Sequence, residues 1–392
     1  MNENNFSFII ELGTSKIRGA AFNSSLDNKS VNIEKDNNIL LNSNIQNFTE
    51  TNKLIKNFLK ELEKESGTYI NSVNLMIDST EMKSINFSIS KNMDGKEINK
   101  RDIIFLVRDA KQQVVKNQPD AMIAHIIIVK FIVDNKVYDN HPIGIICDKL
   151  SVELNFIYFP KNLVRNLENI FHKNTINVDR ILCSSYVRSL NIIEKNNHNS
   201  KICVADVGFE KTTIYQFSNK NLVSIKILEI GNHYITKDIS KVFSLSIEES
   251  ENIKKNFDFQ KNINENNIIP QEFFKTTPFK DISTKLLNDV ISSRVDEIIN
   301  LIFDYIVKIN NFYKKDLKIY FIGNGSKILL DNSTLKNYLP EVESIEFIDE
   351  SVLEICKSGS KVIDGHYKSE AIAIPKIPKK TGFFEKLFHL FE

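Results

Sequence analysis

The sequence predicts an α/β protein of two related domains, with a small α+β module set into the first. Three observations carry that expectation: a strand–turn–strand unit that occurs twice, a late strand that runs into a glycine loop, and a change of texture over about 82–160. The length agrees, since 392 residues exceed what one hydrophobic core usually fills.

The elements follow in order. Phe6 to Ile10 is an apolar run, Gly13 marks a turn, Ile17 to Phe22 resumes the strand pattern and Val31 to Ile33 adds a third strand. A helix comes next, with Leu54, Ile55, Phe58, Leu59 and Leu62 on one face and Gly67 as its C-cap. Val73 to Ile77 returns to strand. In the module, short strands at Ser84 to Ile89, Ile126 to Val133 and Val152 to Phe159 surround a helix from Asn99 to Lys116. A helix over 162–173 leads to a strand at Val178 to Leu182.

Then the first hairpin is echoed. FIIELGTSKIRGAAF (8–22) and CVADVGFEKTTIYQF (203–217) share four landmarks in register: Glu11 and Asp206, Gly13 and Gly208, Lys16 and Lys211, Phe22 and Phe217. Self-similarity in matching strand context points to a duplicated unit. A polar stretch over 248–267 includes an Asn-rich loop at 262–267, and a long helix carries Leu286, Leu287, Val290, Ile291, Val295, Ile298, Ile299 and Ile302 along one side. Leu317 to Ile322 is a strand that enters Gly323-Asn324-Gly325 and then a helix. From Gly359 the chain turns polar, with Pro375 and Pro378 as spacers.

Composition narrows the class. A hydrophobic fraction of 42% supports a sizeable core and excludes a disordered chain. With 51 Lys+Arg against 50 Asp+Glu there is no globally basic surface, and Lys314-Lys315 and Lys379-Lys380 are too short as patches, so no nucleic-acid partner is expected. Cys147, Cys183, Cys203 and Cys356 are scattered without a C-x-x-C pair, which fits small core residues in a reducing compartment better than zinc or disulfides. The seven histidines show no metal spacing. No run of 18 apolar residues exists and the N-terminus lacks a basic n-region, so the expectation is a cytosolic chain without a spanning helix or signal peptide.

The repeated unit suits phosphate. Backbone N–H groups of a tight turn can point at phosphate oxygens, and glycine lets the chain approach closely. An acid at the strand end can hold Mg²⁺ through water. Each unit alone is equally an ordinary β-hairpin; the pair, followed by the third glycine loop, favours a binding site.

These hairpins, the third loop and their order resemble the actin/Hsp70/sugar-kinase ATPase superfamily, and within it the FtsA family of bacterial cell-division proteins. INVDRILCSSYVRSL (176–190) resembles the FtsA connection into its second domain, and GNHYITKDIS (231–240) its G-x-x-x-T-x-D-I segment. ISSRVDEII (291–299) is similar to the helix that contributes adenosine contacts, and IYFIGNGSKI (319–328) to the adenosine loop. The resemblance implies an actin-like two-domain ATPase fold: 1–81 with 161–199 as subdomain 1A, 82–160 as the inserted SHS2-like subdomain 1C, 200–358 as the second domain with 2B at about 235–285, a flexible linker over 359–378 and an amphipathic helix over 379–392. It also implies ATP and Mg²⁺ as cofactors. Gly13, Thr14, Ser15, Lys16, Gly208, Lys211 and Thr212 would face phosphate, Glu11 and Asp206 the metal, and Arg294, Glu297, Gly323, Asn324 and Gly325 the nucleoside.

The chain departs from the family pattern at the second turn, where Phe209 and Glu210 replace glycines of D-I-G-G-G-T-T-D and Thr213 replaces its last acid. A carboxylate at Glu210 repels phosphate unless Lys211 or a metal offsets it. Hydrolysis is therefore expected to be weak or absent, and no general base is assigned.

At the C-terminus, Phe383, Phe384, Leu387, Phe388 and Phe391 form one helical face with Leu390 at its edge, and Lys379, Lys380 and Lys386 supply positive charge. That is the pattern of a helix lying in a membrane interface. Burying its apolar side chains is worth a gross ~10 kcal/mol before the cost of ordering. The plainer alternative is a terminal helix docked on the body. By resemblance, the chain polymerises on the inner face of the cytoplasmic membrane at the septum, tethers FtsZ through a contact within about 235–285, binds anionic lipid and recruits later division proteins. A small-molecule kinase of the superfamily, a PilM-like pilus scaffold and a scaffold without ATP remain as alternatives.

Overall fold

The computed structural model describes residues 6–371 apart from 24–29, 37–39, 42–43, 46, 197–199, 257–266, 275–277, 309–315, 330–334, 336–341 and 368. The terminal helix expected over 379–392, with its membrane-facing Phe383, Phe384, Lys386, Leu387, Phe388, Leu390 and Phe391, lies outside the described residues. So do the Asn-rich loop up to 266 and the linker beyond 371.

In chain order the elements are β1 (Phe6–Leu12), β2 (Lys16–Asn23), β3 (Ser30–Asp36), the short pair β4 (Leu40–Leu41) and β5 (Asn44–Ile45), α1 (Phe48–Ser66) and β6 (Ser72–Ile77). Next come β7 (Lys83–Glu97), α2 (Lys100–Asn117), β8 (Ala121–Val133), β9 (Lys136–Tyr138), β10 (Ile146–Pro160), α3 (Lys161–Lys173), β11 (Asn177–Cys183) and α4 (Ser184–Glu194). The chain continues with β12 (Lys201–Val207), β13 (Thr212–Ser218), β14 (Asn221–Leu228), α5 (Asn232–Phe243), α6 (Ile247–Asn256), α7 (Thr284–Lys308), β15 (Leu317–Ile322), β16 (Ser344–Phe347) and α8 (Val352–Ile363). Two compact units result: one takes the described parts of 1–84, 120–124 and 157–360, the other 85–119, 125–156 and the described residues from Lys361.

The first unit holds two five-stranded sheets of the same design, β3-β2-β1-β6-β11 and β14-β13-β12-β15-β16. In each, a hairpin and a third antiparallel strand lie on one side of the first strand, and two parallel strands lie on the other. The repeat holds at the level of register: Leu12 pairs with Ile17 and Glu11 with Arg18, as Val207 pairs with Thr212 and Asp206 with Thr213. Equivalent helices precede the first parallel strands. α1 starts where Asn47 Oδ1 accepts from the N–H groups of Thr49 (3.0 Å) and Glu50 (3.2 Å), and stops at Gly67, whose φ of 67° is the left-handed conformation glycine tolerates best. α7 buries Leu287, Ile291, Val295, Ile298, Ile299 and Ile302 in one core with Cys203, Ala205, Ile319 and Phe321 of β12 and β15.

Helices of this unit that differ from the sequence expectation include α4, α6 and α8. α4 is a full helix where the sequence showed only a connection, and nine of its eleven residues are buried, including Ser184, Ser185, Arg188 and Ser189 on its polar side. α6 occupies the first half of the polar stretch, turning inward Ile253 and also Lys254, whose buried ammonium donates to Thr236 Oγ1 (2.7 Å) and Asn232 O (3.1 Å). α8 runs through Gly359 to Ile363, so the linker does not begin at Gly359. The small residue reflects close packing: a Cβ there would lie 2.6 Å from Met76 Sδ and 3.2 Å from Ile9 Cγ2.

The second unit carries a four-stranded sheet, β7-β10-β8-β9, and α2. α2 opens on a capping box, Asn99 with Asp102, and buries Ile103, Leu106, Val107, Ala110 and Val114. β7 extends to Glu97, well past Ile89, because its outer half is solvent-facing and keeps the strand without an apolar alternation. The C-terminal chain joins this unit. Ile128 N–H donates to Ser369 O (2.7 Å), Glu370 bridges to Ile127, and both Glu370 carboxylate oxygens lie 3.3 Å from Nδ1 of buried His125. Residues 369–370, expected as flexible linker, are thus laid along β8.

Candidate functional site

Within the first unit, the two hairpin turns and the loop after β15 open onto one cleft. The turns are built alike: Gly13 N–H donates to Lys16 O (2.9 Å) and Gly208 N–H to Lys211 O (2.8 Å). The third loop reaches them because Gly323 has no side chain. Its φ is 87°, and a Cβ would fall 2.3 Å from Asp206 Oδ1 and 2.5 Å from Val207 O. Behind the second turn, the first amides of α5 are satisfied by the turn itself, with Asn232 N–H on Gly208 O (3.0 Å) and His233 N–H on Phe209 O (2.7 Å).

Of the residues the sequence assigned, Glu11, Gly13, Thr14, Ser15, Lys16, Asp206, Gly208, Lys211, Gly323 and Asn324 line this cleft. Four do not. Thr212 is fully buried and donates to Ile230 O (2.8 Å), and Gly325 backs onto Gly208 O and Val207 O, each 2.7 Å from where a Cβ would stand. Arg294 and Glu297 lie on α7, where Arg294 grips Asp238 of α5 through Nε (2.6 Å) and Nη2 (3.0 Å) and also bonds Glu297. They brace two helices.

Sequence reasoning missed the charged groups that neutralise the site. Arg18, directly across the ladder from Glu11, bonds it at 2.6 Å and reaches Glu34 at 2.7 Å. Arg188 of α4 bonds Asp206 at 3.0 Å and Glu350 at 2.9 Å through Nε. Asp78, just past β6, takes Lys211 Nζ at 2.8 Å. Position was the available signal for Asp78, since the carboxyl ends of parallel strands are where such sheets place ligands. Burial pushes Asp206 up to about 6, against the pull of Arg188 and with Asp78 and Glu350 adding to the rise.

These contacts do not fit magnesium held by Glu11 and Asp206. Each acid already faces a guanidinium, and among the described residues no group of three or more His, Cys, Asp or Glu side chains could hold a metal ion. A nucleotide is a better fit, because both glycine turns present backbone to the cleft. Phe209, in place of a glycine, stacks on His233 (ring centroids 4.5 Å apart, 26° between planes) with Lys254 5.8 Å from its centroid. Burial, with Lys237 and Lys254 nearby, lowers His233 to about 4. All four cysteines are buried, and burial pushes the Cys183 thiol up to about 12, so they serve as packing groups.

Comparison with known proteins places this architecture. A model of the SHS2 domain inserted in FtsA matches residues 79–158, and a model of cell division protein FtsA matches 203–368. The chain belongs to the FtsA family. It is 26% identical over 313 residues to the cell division protein FtsA of Buchnera aphidicola subsp. Acyrthosiphon pisum (strain APS), covering 74% of this chain and 73% of that one. With the FtsA of Bacillus subtilis (strain 168) it shares 24% over 310 residues, covering 77% and 70%. Among solved structures, a PilM–PilN type IV pilus biogenesis complex superposes with a TM-score of 0.62 at 13% identity, covering 90% of each chain. The ethanolamine utilization protein EutJ from Carboxydothermus hydrogenoformans gives 0.51 at 8% identity, covering 90% and 88%. These two share the fold. This FtsA-family chain thus has the actin-like ATPase fold with the FtsA-type insertion, and none of its described helices is long and apolar enough to cross a membrane.

Proposed function

We propose that this FtsA-family protein binds ATP in the cleft between its two half-repeats, polymerises on the inner face of the cytoplasmic membrane at the septum, and tethers FtsZ filaments there. One observation carries the nucleotide part: two hairpin turns of identical register, on two sheets of identical strand order, open onto the same cleft. Turn amides at 14–16 and 209–211 would receive phosphate oxygens, and Lys16 and Lys211 would supply charge. Glu11 and Asp206 are held by arginines and poorly placed to organise a metal or a water, so ATP serves as a structural ligand with weak or absent hydrolysis. The amphipathic sequence of 379–392 supplies the membrane contact and favours anionic lipid, with avidity from the polymer adding to a modest single-helix affinity. FtsZ would dock within about 235–285, and later division proteins on the assembled polymer.

The test is co-sedimentation of FtsZ filaments with anionic liposomes, using the full chain and a version ending at Pro378. FtsZ pelleting only with the full chain is the expected result. Liposome binding that leaves FtsZ behind would favour a membrane scaffold of the pilus type. Binding of neither would return the terminal helix to the body of the protein and overturn the tether.

A further inference from the structure

Asp78 sits where a ligand anion would sit. Its Oδ1 accepts from Lys211 Nζ (2.8 Å) and Ser185 Oγ (2.9 Å), and its Oδ2 accepts from the Ser185 backbone N–H (3.0 Å). Ser185 is fully buried and is the second residue of α4, so this amide belongs to the positive end of an eleven-residue helix. A lysine, a hydroxyl and a helix N-terminal amide converging on one point form the kind of donor set that binds phosphate. Lys211 closes the second hairpin turn, and both Lys211 and Asp78 line the cleft.

Among the described residues, no spare cation lining the cleft competes for the role. Lys16 is paired with Glu34, Arg18 with Glu11 and Arg188 with Asp206, so each base lining the cleft is held by a carboxylate. Of the partner acids that themselves line the cleft, Asp78 is the most exposed, its side chain 20% accessible against 6% for Glu11, 7% for Glu350 and 9% for Asp206. It is the carboxylate that can swing out to water at least cost. The other three would be left as buried charges, or would leave an arginine so.

We propose that Lys211, Ser185 and the α4 N-terminus form an anion site behind the cleft wall, reached from the cleft through Lys211 and Asp78, and that Asp78 is its resident, displaceable anion. A nucleotide phosphate gains Lys211 only by expelling Asp78, so this residue sets nucleotide affinity. The inference rests on the nucleotide reading of the cleft and specifies what opposes it.

Calorimetric titration of the full chain with ATP and magnesium tests it, on the wild type, Asp78→Asn, Asp78→Ala and Lys211→Ala, each checked for folding by thermal melt. Asp78→Asn keeps the shape of the side chain, and Asp78→Ala removes it. Both are expected to tighten ATP binding about tenfold, the effect of roughly 1.4 kcal/mol of relieved competition, and Lys211→Ala to weaken it by at least as much. Binding seen only in the Asp78 variants supports the inference in its strongest form. Unchanged or weaker binding in both Asp78 variants overturns the inference and leaves the nucleotide site standing. No binding in any variant at millimolar ATP overturns the nucleotide reading, and this inference with it.

Discussion

Phe209 occupies the turn position that Thr14 holds in the first hairpin, and its ring changes the chemistry of its neighbours. Stacked against it, His233 is held to about 4, first by burial and then by the charges of Lys237 and Lys254. In the unfolded chain the imidazole protonates near pH 6.5. Between these values the unfolded state binds more protons, so stability rises with pH and is lost as pH falls from 6.5 towards 4. Asp206 works in the opposite sense: with its folded value raised to about 6, acidification between 6 and 3.8 favours the folded state. A raw pH profile therefore mixes the two, and a variant isolates one. His233→Phe keeps the ring stack and removes the titration. Urea unfolding at pH 7 and pH 4.5 is expected to show the variant losing less stability than the wild type, by on the order of 2 kcal/mol. Equal losses would mean that His233 is not held neutral by its surroundings.

At the scale of elements, what was legible followed from local rules. The two hairpins showed through glycine and strand alternation, α1 through its apolar stripe and Gly67, and α7 through its long apolar side. The turn residues of the site came with the hairpins. What stayed hidden was held by tertiary contact. Arg188 lies on a helix whose polar side is buried rather than solvated, and Arg18 reads as a strand residue until the ladder sets it opposite Glu11. Arg294 and Glu297 sit on the right helix but turn to Asp238. Gly359 shows the same limit, because a glycine beside serines reads as a linker until α8 is seen packed on β1 and β6. The packing predicts a graded response. Gly359→Ala gains about 1 kcal/mol of helix propensity, which offsets a displacement that flexible Met76 can absorb. Gly359→Val also meets Ile9 and is expected to cost about 2 kcal/mol in urea unfolding, as overpacked contacts do. A linker position would tolerate both equally.

For the molecule as a whole, the two half-repeats have exchanged helices. α4 follows the first sheet in sequence, yet Tyr186 lies 5.9 Å from Tyr215 of β13 and Arg188 bonds Asp206 of β12. α8 follows the second sheet, yet Gly359 rests on Met76 and Ile9 of the first. Asp78 and Lys211 add an ion pair between the halves. Neither half can therefore lose its sheet without stripping a helix or a buried charge partner from the other, which predicts that both unfold in one transition. The chain has no tryptophan, so single reporters can be placed at will. Phe6→Trp in β1 and Phe347→Trp in β16 report one sheet each, and their urea midpoints are expected to coincide. Adding Arg188→Ala leaves Asp206 and Glu350 buried without their cation, a loss of about 3–5 kcal/mol. Because Arg188 belongs to the shared layer, both reporters should fall by the same amount. A drop confined to the Phe347→Trp reporter would show that Arg188 stabilises the second sheet alone. Separate midpoints before that substitution would show two independent domains that only touch.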